Sequence, residues 1–393
     1  MQTAFFFLHK CANYGENTVD YIKKGVFMIK KSLTVIFAAL LTVEPCFAEE
    51  AESAYILMES DTGQVLKKEN ENFRLPIAST TKIMTAAVVL ENAEPSDIFT
   101  VSENAQNQEG SSIYLREGNR ITVENLLYGL MLNSGNDAAV ALAEGVAGSC
   151  EAFSELMNKK AQELGCKNTN FKNPSGLNED GHYSSAYDMA LITAYAIKND
   201  ILAKIMATKR YNIEGEDSIT YLKNHNKLLW QYEYCTGGKT GYTKLSGRCL
   251  VTTAERDGVR LVAVTLNCPD DWKQHKELFD YGFNAVTMKT VIEKDTILDT
   301  RSINGVKVNL LAANEIKIPL QEGKKPKIKC KIHLNGENKN IEIGDFLGYA
   351  RIYLGDNQVA TVDIKSGQKV KKMPFFNLVK SFFIKKEKHA ARF

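Results

Sequence analysis

The sequence predicts an α/β (α+β) protein: an antiparallel sheet flanked by helices, followed by a small all-β domain and a C-terminal amphipathic helix. Three observations carry that expectation. Helical periodicity recurs between Thr80 and Ile197. Strand–turn–strand patterns stand on either side of that span, at Ala54–Asn70 and Gly247–Leu266. Beyond about Thr290 the helical patterns stop and short alternating strands take over.

In chain order, "AYILMESDTGQVLKKEN" reads as two strands about an Asp61-Thr62-Gly63 turn. Thr80 to Asn92 and Val123 to Val146 have helical spacing, and Phe153 to Leu164 is a helix stopped by Gly165. Asn173 to Asp188 is loop, rich in Gly, Asn and Ser, leading into the helical "MALITAYAI". "GRCLVTTAERDGVRLVAVTL" gives two strands about Asp257-Gly258, and a helix follows over Trp272 to Phe283. "VKVNLLA", "KIKCKIHL", "IEIGDFLGYARIYL" and "VATVDIK" then form the β domain, expected over residues 290–372, with the larger domain over 49–289. In the tail, 373–393, Phe375, Phe376, Leu378, Val379, Phe382 and Phe383 share one helical face. Asn377, Lys380 and Lys385 lie off it. Too short and too charged to span, such a helix suits a membrane interface.

The 393 residues are 44% apolar and 24% charged, ordinary for a globular protein, and a net charge of +2 implies no nucleic-acid surface by itself. "MIKKSLTVIFAALLTVEPCFAEE" has Lys30 and Lys31, an apolar run and Ala48, the layout of a secretory signal peptide over 28–48. Glu44 and Pro45 argue against lipid modification of Cys46. Lys24-Gly25-Val26 can be encoded as a ribosome-binding sequence just before Met28, so 1–27 is expected to be a mis-called N-terminal extension. Export permits disulfides, yet a chain this long needs none. Cys150, Cys166, Cys235, Cys249, Cys268 and Cys330 are expected to be buried free thiols. The histidines are scattered, without H-E-x-x-H or a dense Cys/His cluster, and are expected at the surface or in loops. No metal or cofactor is indicated.

Three short stretches carry chemistry. In "RLPIASTTKIMTAAVVLENA", Ser79 and Lys82 stand three residues apart at a helix start, hence on one face. A serine hydroxyl attacks only when a base takes its proton, and a lysine is such a base when burial and nearby cations lower its pKa. The Ser79 N–H is placed to meet a developing oxyanion. In "LMLNSGNDAAVALAEG", Ser134-Gly135-Asn136 forms a turn between helical segments, where a hydroxyl and a carboxamide can relay a proton and hold a peptide carbonyl. In "CTGGKTGYTKLSGRCLV", Lys239 and Thr240 offer charge and hydroxyl to a carboxylate on an edge strand, while Gly241 lets substrate lie alongside. The Tyr242 N–H is the second oxyanion donor. Each motif alone is weak: Ser366-Gly367-Gln368-Lys369 repeats the first, and Ser102-Glu103-Asn104 and Ser302-Ile303-Asn304 repeat the second. Together, in this order, they make the signature of β-lactamases and penicillin-binding proteins.

With "GSSIYLREG", "HYSSAYDMALI" and "GGKTGYT" added, the chain resembles the low-molecular-mass penicillin-binding proteins that act as D-alanyl-D-alanine carboxypeptidases. The resemblance implies a serine β-lactamase/transpeptidase-like fold over the larger domain. It also implies an acyl-enzyme on Ser79 formed with a peptidoglycan stem pentapeptide, releasing terminal D-alanine. Lys82 would be the base, Ser134 and Asn136 would assist proton transfer and position substrate, and Lys239 and Thr240 would bind the carboxylate. β-Lactam antibiotics would acylate Ser79 and leave slowly. The expected place of action is the outer face of the cytoplasmic membrane, held there by the tail. A β-lactamase, an endopeptidase or transpeptidase with the same site, and a non-catalytic wall-binding protein remain as alternatives. No further arginine for the carboxylate is evident in the sequence.

Overall fold

The computed structural model describes residues 53–214, 219–323, 327–335 and 340–372. The expected N-terminal extension, signal peptide and C-terminal amphipathic helix lie outside the described residues.

The main sheet has five antiparallel strands in the order Val65–Glu69, Ala54–Glu59, Val259–Leu266, Gly247–Arg256, Cys235–Thr243. Side chains alternate across a strand, so one sheet can bury two different faces. Ile56, Met58, Val262 and Val264 join one hydrophobic cluster; their neighbours Leu57, Leu261 and Ala263 join another. The second cluster is closed by Leu278, Phe279 and Phe283 of the Asp271–Ala285 helix. The first is filled by a group of helices around Lys82–Asn92, whose residues from Lys82 to Val89 are all buried. A helix apolar all round belongs at the centre of a bundle, and this one touches helices Val123–Leu132, Asn136–Ala147 and Ala186–Ala196.

Local signals set the boundaries. Thr122, Ser149 and Ser185 each accept a bond from a first-turn N–H as helix caps. Asp257 and Gly258, at φ 53° and 81°, make the tight hairpin joining strands Gly247–Arg256 and Val259–Leu266. The hairpin Arg210–Glu214/Ile219–Lys223 was not apparent from the sequence.

A second five-stranded sheet, in the order Ile297–Ile303, Val306–Ala312, Asn357–Ser366, Phe346–Leu354, Ile328–Leu334, surrounds its own core of Val308, Leu310, Ala350, Ile352, Val362 and Ile364. Strand Val286–Ile292 grows straight out of the Asp271–Ala285 helix and pairs with Ile316–Gln321. The Asp61–Gly63 turn meets this region: Asn357 Nδ2 donates to Thr62 O (2.9 Å), and Gln64 Nε2 to Pro319 O (3.1 Å).

Two expectations need correction. All six described cysteines are free, but only Cys249 is buried, and Cys330 is exposed. His275 is buried within the Asp271–Ala285 helix rather than in a surface or loop position, and His182, in a loop as expected, is buried as well. Each has a hydroxyl partner that makes burial tolerable: Thr81 Oγ1 lies 2.9 Å from His182 Nε2, and Thr252 and Thr265 flank the two nitrogens of His275. Burial holds both rings neutral, pushing His275 down to about 3 and His182, with help from Lys82, to about 4.

Candidate active site

Ser79 sits in a 3-10 turn, Ala78–Thr81, and the helix proper begins at Lys82. Residues i and i+3 eclipse in a 3-10 turn, so the tighter winding stacks Lys82 directly on Ser79. The turn is forced: Ala78 has φ 45°, in the left-handed region that alanine seldom adopts. Two glycines let neighbours press on it. A Cβ on Gly176 would stand 1.9 Å from Ala78 O, and one on Gly241 would stand 3.1 Å from Ser79 N. The loop around Gly176 and the strand carrying Gly241 thus clamp the turn from two sides.

Lys82 is fully buried, and its Nζ has three oxygen neighbours. Ser79 Oγ is at 3.0 Å, Asn136 Oδ1 at 2.8 Å and Ser175 O at 2.6 Å. Asn136 is oriented by its other end, where Nδ2 donates to Glu109 O (2.6 Å). Asn136 Oδ1 and Ser175 O can only accept. A neutral amine has two N–H donors and one lone pair. Its donors therefore go to those two oxygens, and its lone pair meets the Ser79 hydroxyl. Burial favours this neutral form and lowers the Lys82 pKa well below the lysine range; the charge of Lys239 adds to the effect, and Asp137 opposes it.

Asp137 was not singled out in the sequence, yet it shapes the site. Its buried carboxylate accepts from Ser112 Oγ (2.6 Å), Ile113 N (3.0 Å), Leu115 N (3.0 Å) and Ala138 N (2.8 Å). That anchors the 111–115 loop beside the Asn136 helix start. Ser134, at φ 62° and 5% exposed, occupies the turn before it and lines the cleft.

The opposite wall is the edge strand Cys235–Thr243. Lys239 is buried, with Nζ donating to Thr240 O (2.8 Å), and burial pushes its pKa down to about 7. Thr240, Gly241 and Tyr242 line a cleft of about 340 Å³ together with Ser79 and Ser134. Arg248 lines it as well, a cation the sequence reading left unassigned. It stands across from Tyr242 in the neighbouring strand and donates to Asp271 through Nε (3.2 Å) and Nη2 (2.7 Å).

The duplicate motifs are built into other structure. Ser366 is buried and donates to Gln368 O, while Lys369 pairs with Glu342. Ser102 caps a short helix and bonds to Glu144.

An antiparallel sheet between helices, with a serine turn and a polar edge strand facing one cleft and a buried lysine bonded to the serine, defines a serine enzyme of the penicillin-binding type. Comparison with known proteins agrees. Residues 42–270 match the family described as D-alanyl-D-alanine carboxypeptidase, and 287–372 match the C-terminal domain of penicillin-binding protein 5. The D-alanyl-D-alanine carboxypeptidase DacF of Bacillus subtilis is 35% identical, over 85% of this chain and 89% of its own. DacD of Escherichia coli is 31% identical, over 84% and 89%. The crystal structure of penicillin binding protein 5 from Haemophilus influenzae superposes with a TM-score of 0.61 at 29% identity, covering 81% of this chain and 97% of that one. The chain belongs to the D-alanyl-D-alanine carboxypeptidase family of serine peptidases.

Proposed function

We propose that Ser79 is the nucleophile of this serine D-alanyl-D-alanine carboxypeptidase and Lys82 its base. The observation that carries the assignment is the set of three oxygens about Lys82 Nζ, which leaves a lone pair for one of them only. Ser79 Oγ attacks the carbonyl of the penultimate D-alanine of a peptidoglycan stem peptide as Lys82 takes its proton. The C–N bond breaks, the proton passes to the leaving nitrogen, and D-alanine departs. Water, activated by Lys82, then hydrolyses the ester. Ser134 relays the proton, Asn136 positions the peptide, and the N–H groups of Ser79 and Tyr242 hold the oxyanion. Lys239 and Thr240 bind the terminal carboxylate, with Gly241 leaving room for substrate along the strand.

A β-lactam enters the same cycle and stalls at the ester. Asp271, bound to Arg248, is the one carboxylate among the described residues lining the cleft. Glu179, in the Asn173–Asp188 loop, is exposed and bonded to Asn173, so it offers no rapid deacylating base. That favours a carboxypeptidase over a β-lactamase.

Incubation with a stem pentapeptide ending in D-Ala-D-Ala is expected to release D-alanine, and labelled penicillin to appear on the peptide bearing Ser79. A penicillin adduct on any other residue would overturn the assignment.

We assign the catalytic domain to 49–289, the β domain to 290–372 and a peripheral membrane anchor to 373–393, following export through the signal at 28–48. Removal of 374–393 is expected to shift the exported protein from the membrane to the soluble fraction. Unchanged membrane retention would refute the anchor.

A further inference from the structure

Beside the cleft lies a second groove, of about 640 Å³, roomy enough for a ligand several chemical groups long. Arg210, Lys223, His225 and Lys227 are four of its seven lining residues, and none of the seven is acidic. Among the described residues, no carboxylate pairs with Arg210, Lys223 or Lys227. The two lysines rest instead on indole rings: Lys223 Nζ is 5.8 Å from the Trp230 centroid, and Lys227 Nζ 6.0 Å from that of Trp272. A ring face orients an ammonium without cancelling its charge. His225 reports the resulting field, since burial, Lys239 and Lys223 together hold its ring below the ordinary imidazole range.

These cations are kept together against their own repulsion. Arg210 and Lys223 are direct cross-strand partners in the hairpin, an arrangement of like charges that lowers stability. The hairpin is nonetheless firmly seated. Tyr211 stacks on Tyr128, with ring centroids 3.6 Å apart, and donates to Asn125 Oδ1 (3.0 Å), while Lys223 N donates to Asn133 Oδ1 (3.1 Å). A local conflict held in place by its surroundings is the mark of a functional site.

The chemistry of the lining narrows the ligand. Arg210, Lys223 and Lys227 can only donate. Asn224 is engaged within the protein: Nδ2 donates to Met206 O (3.2 Å) and Thr208 O (3.0 Å), and Oδ1 accepts from Asn226 N (2.9 Å). A peptide would bring N–H groups that the three cations cannot accept. A phosphodiester brings acceptors alone and a full negative charge at each repeat, and the guanidinium fork matches its oxygens. The room in the groove suits a chain of such groups rather than one small anion, and Trp230, 43% exposed, offers apolar surface to the carbons between them.

We propose that this groove binds a linear phosphodiester polymer, its phosphates on Arg210, Lys223 and Lys227 and its linking carbons against Trp230. The site is separate from the serine chemistry and does not depend on the Ser79 reading.

The test measures binding of a fluorescently labelled glycerol phosphate oligomer to the full chain by anisotropy. Wild type is expected to bind it, and more weakly as salt rises. Lys223→Gln/Lys227→Gln should weaken binding about tenfold or more. Its thermal midpoint should hold or rise, because a like-charge pair is removed. Trp230→Ala, at an exposed position, should weaken binding about threefold, which keeps the test open if the first variant folds poorly. Lys329→Gln/Lys331→Gln removes the same charge from strand Ile328–Leu334 of the β domain and should leave affinity within about twofold. Poly-L-glutamate of matched charge should bind about tenfold more weakly than the oligomer. No binding by wild type, unchanged binding in both groove variants, equal losses from the two lysine pairs, or equal affinity for polyglutamate would each overturn the proposal. Phosphatidylglycerol vesicles distinguish the other source of the same chemistry. If the groove variant left oligomer binding intact but partitioned about tenfold less onto those vesicles, the groove would belong to a lipid surface and the proposal would fall.

Discussion

Lys82→Met is expected to slow acylation by both stem pentapeptide and penicillin by about 10²- to 10⁴-fold, the usual worth of a positioned general base. Methionine has similar length but no lone pair of comparable basicity, so Ser79 would keep its place and lose its proton acceptor. Ser175 O and Asn136 Oδ1 would also lose their donor, at about 1–3 kcal/mol for each buried acceptor left bare. Stopped-flow acylation and urea midpoints separate the two effects. The wild-type pH profile should carry the signature of the same residue. With Lys82 as the proposed base, acting unprotonated, acylation is expected to fall as pH drops through its depressed pKa. With Lys239 as the proposed carboxylate partner, acting protonated, carboxylate binding to the free enzyme is expected to fall as pH rises through about 7, and bound carboxylate to move that limb upward. A rate that keeps rising on the acid side would contradict the assignment of Lys82 as base. Lys239 also gives a sign for stability. Its folded pKa is below the unfolded value, so the unfolded chain binds more protons between about 7 and 10.5, and this group's contribution to stability increases with pH across that window.

The second large effect is expected from Asp137→Ala, which should lower stability by about 3 kcal/mol or more and sharply reduce acylation. The carboxylate accepts from Ile113 N, Leu115 N and Ser112 Oγ at once, and alanine leaves those donors without it. The freed 111–115 loop would no longer fix the start of the Asn136 helix, where Asn136 N donates to Ser111 O (2.7 Å). Asp137 also supplies negative charge to Lys82, so its loss should move the acid limb of any residual activity to lower pH. Melting temperature and the pH profile of penicillin acylation check the two parts. An unchanged melting temperature would mean that the loop is held by something else.

What was legible in the sequence had a period or a fixed spacing. The two runs about the Asp61-Thr62-Gly63 turn and the helical spacing from Thr80 to Asn92 announced a strand pair and a helix. Ser79, Lys82, Ser134, Asn136 and the Lys239–Tyr242 run were found because their chemistry needs given residue types at short range. What was missed works through the main chain or through distance. Ser175 O and Glu109 O hold Lys82 and Asn136 as carbonyls, which any residue could supply. Asp137 looked like an ordinary acid in a helix's first turn. Arg248 reaches the cleft only because a hairpin folds it back opposite Tyr242. The strands Arg210–Glu214 and Ile219–Lys223 are only five residues each, so the Arg-Tyr-Asn-Ile-Glu alternation of the first is too brief to stand out.

The first strand of the domain, Ala54–Glu59, lies inside the sheet rather than at its edge, paired on one side with Val259–Leu266. The strand is therefore made first and completed last. Until Val259–Leu266 arrives, Ile56 and Leu57 have only the short Val65–Glu69 strand beside them, and the long loop to the second partner must be closed at an entropic cost before any contact rewards it. Ser79 meets the Gly241 strand only at that late stage. With Ser79 as the proposed site of acylation, covalent uptake of a β-lactam is expected to report completion of the sheet, because the serine turn and the Gly241 strand come together only then.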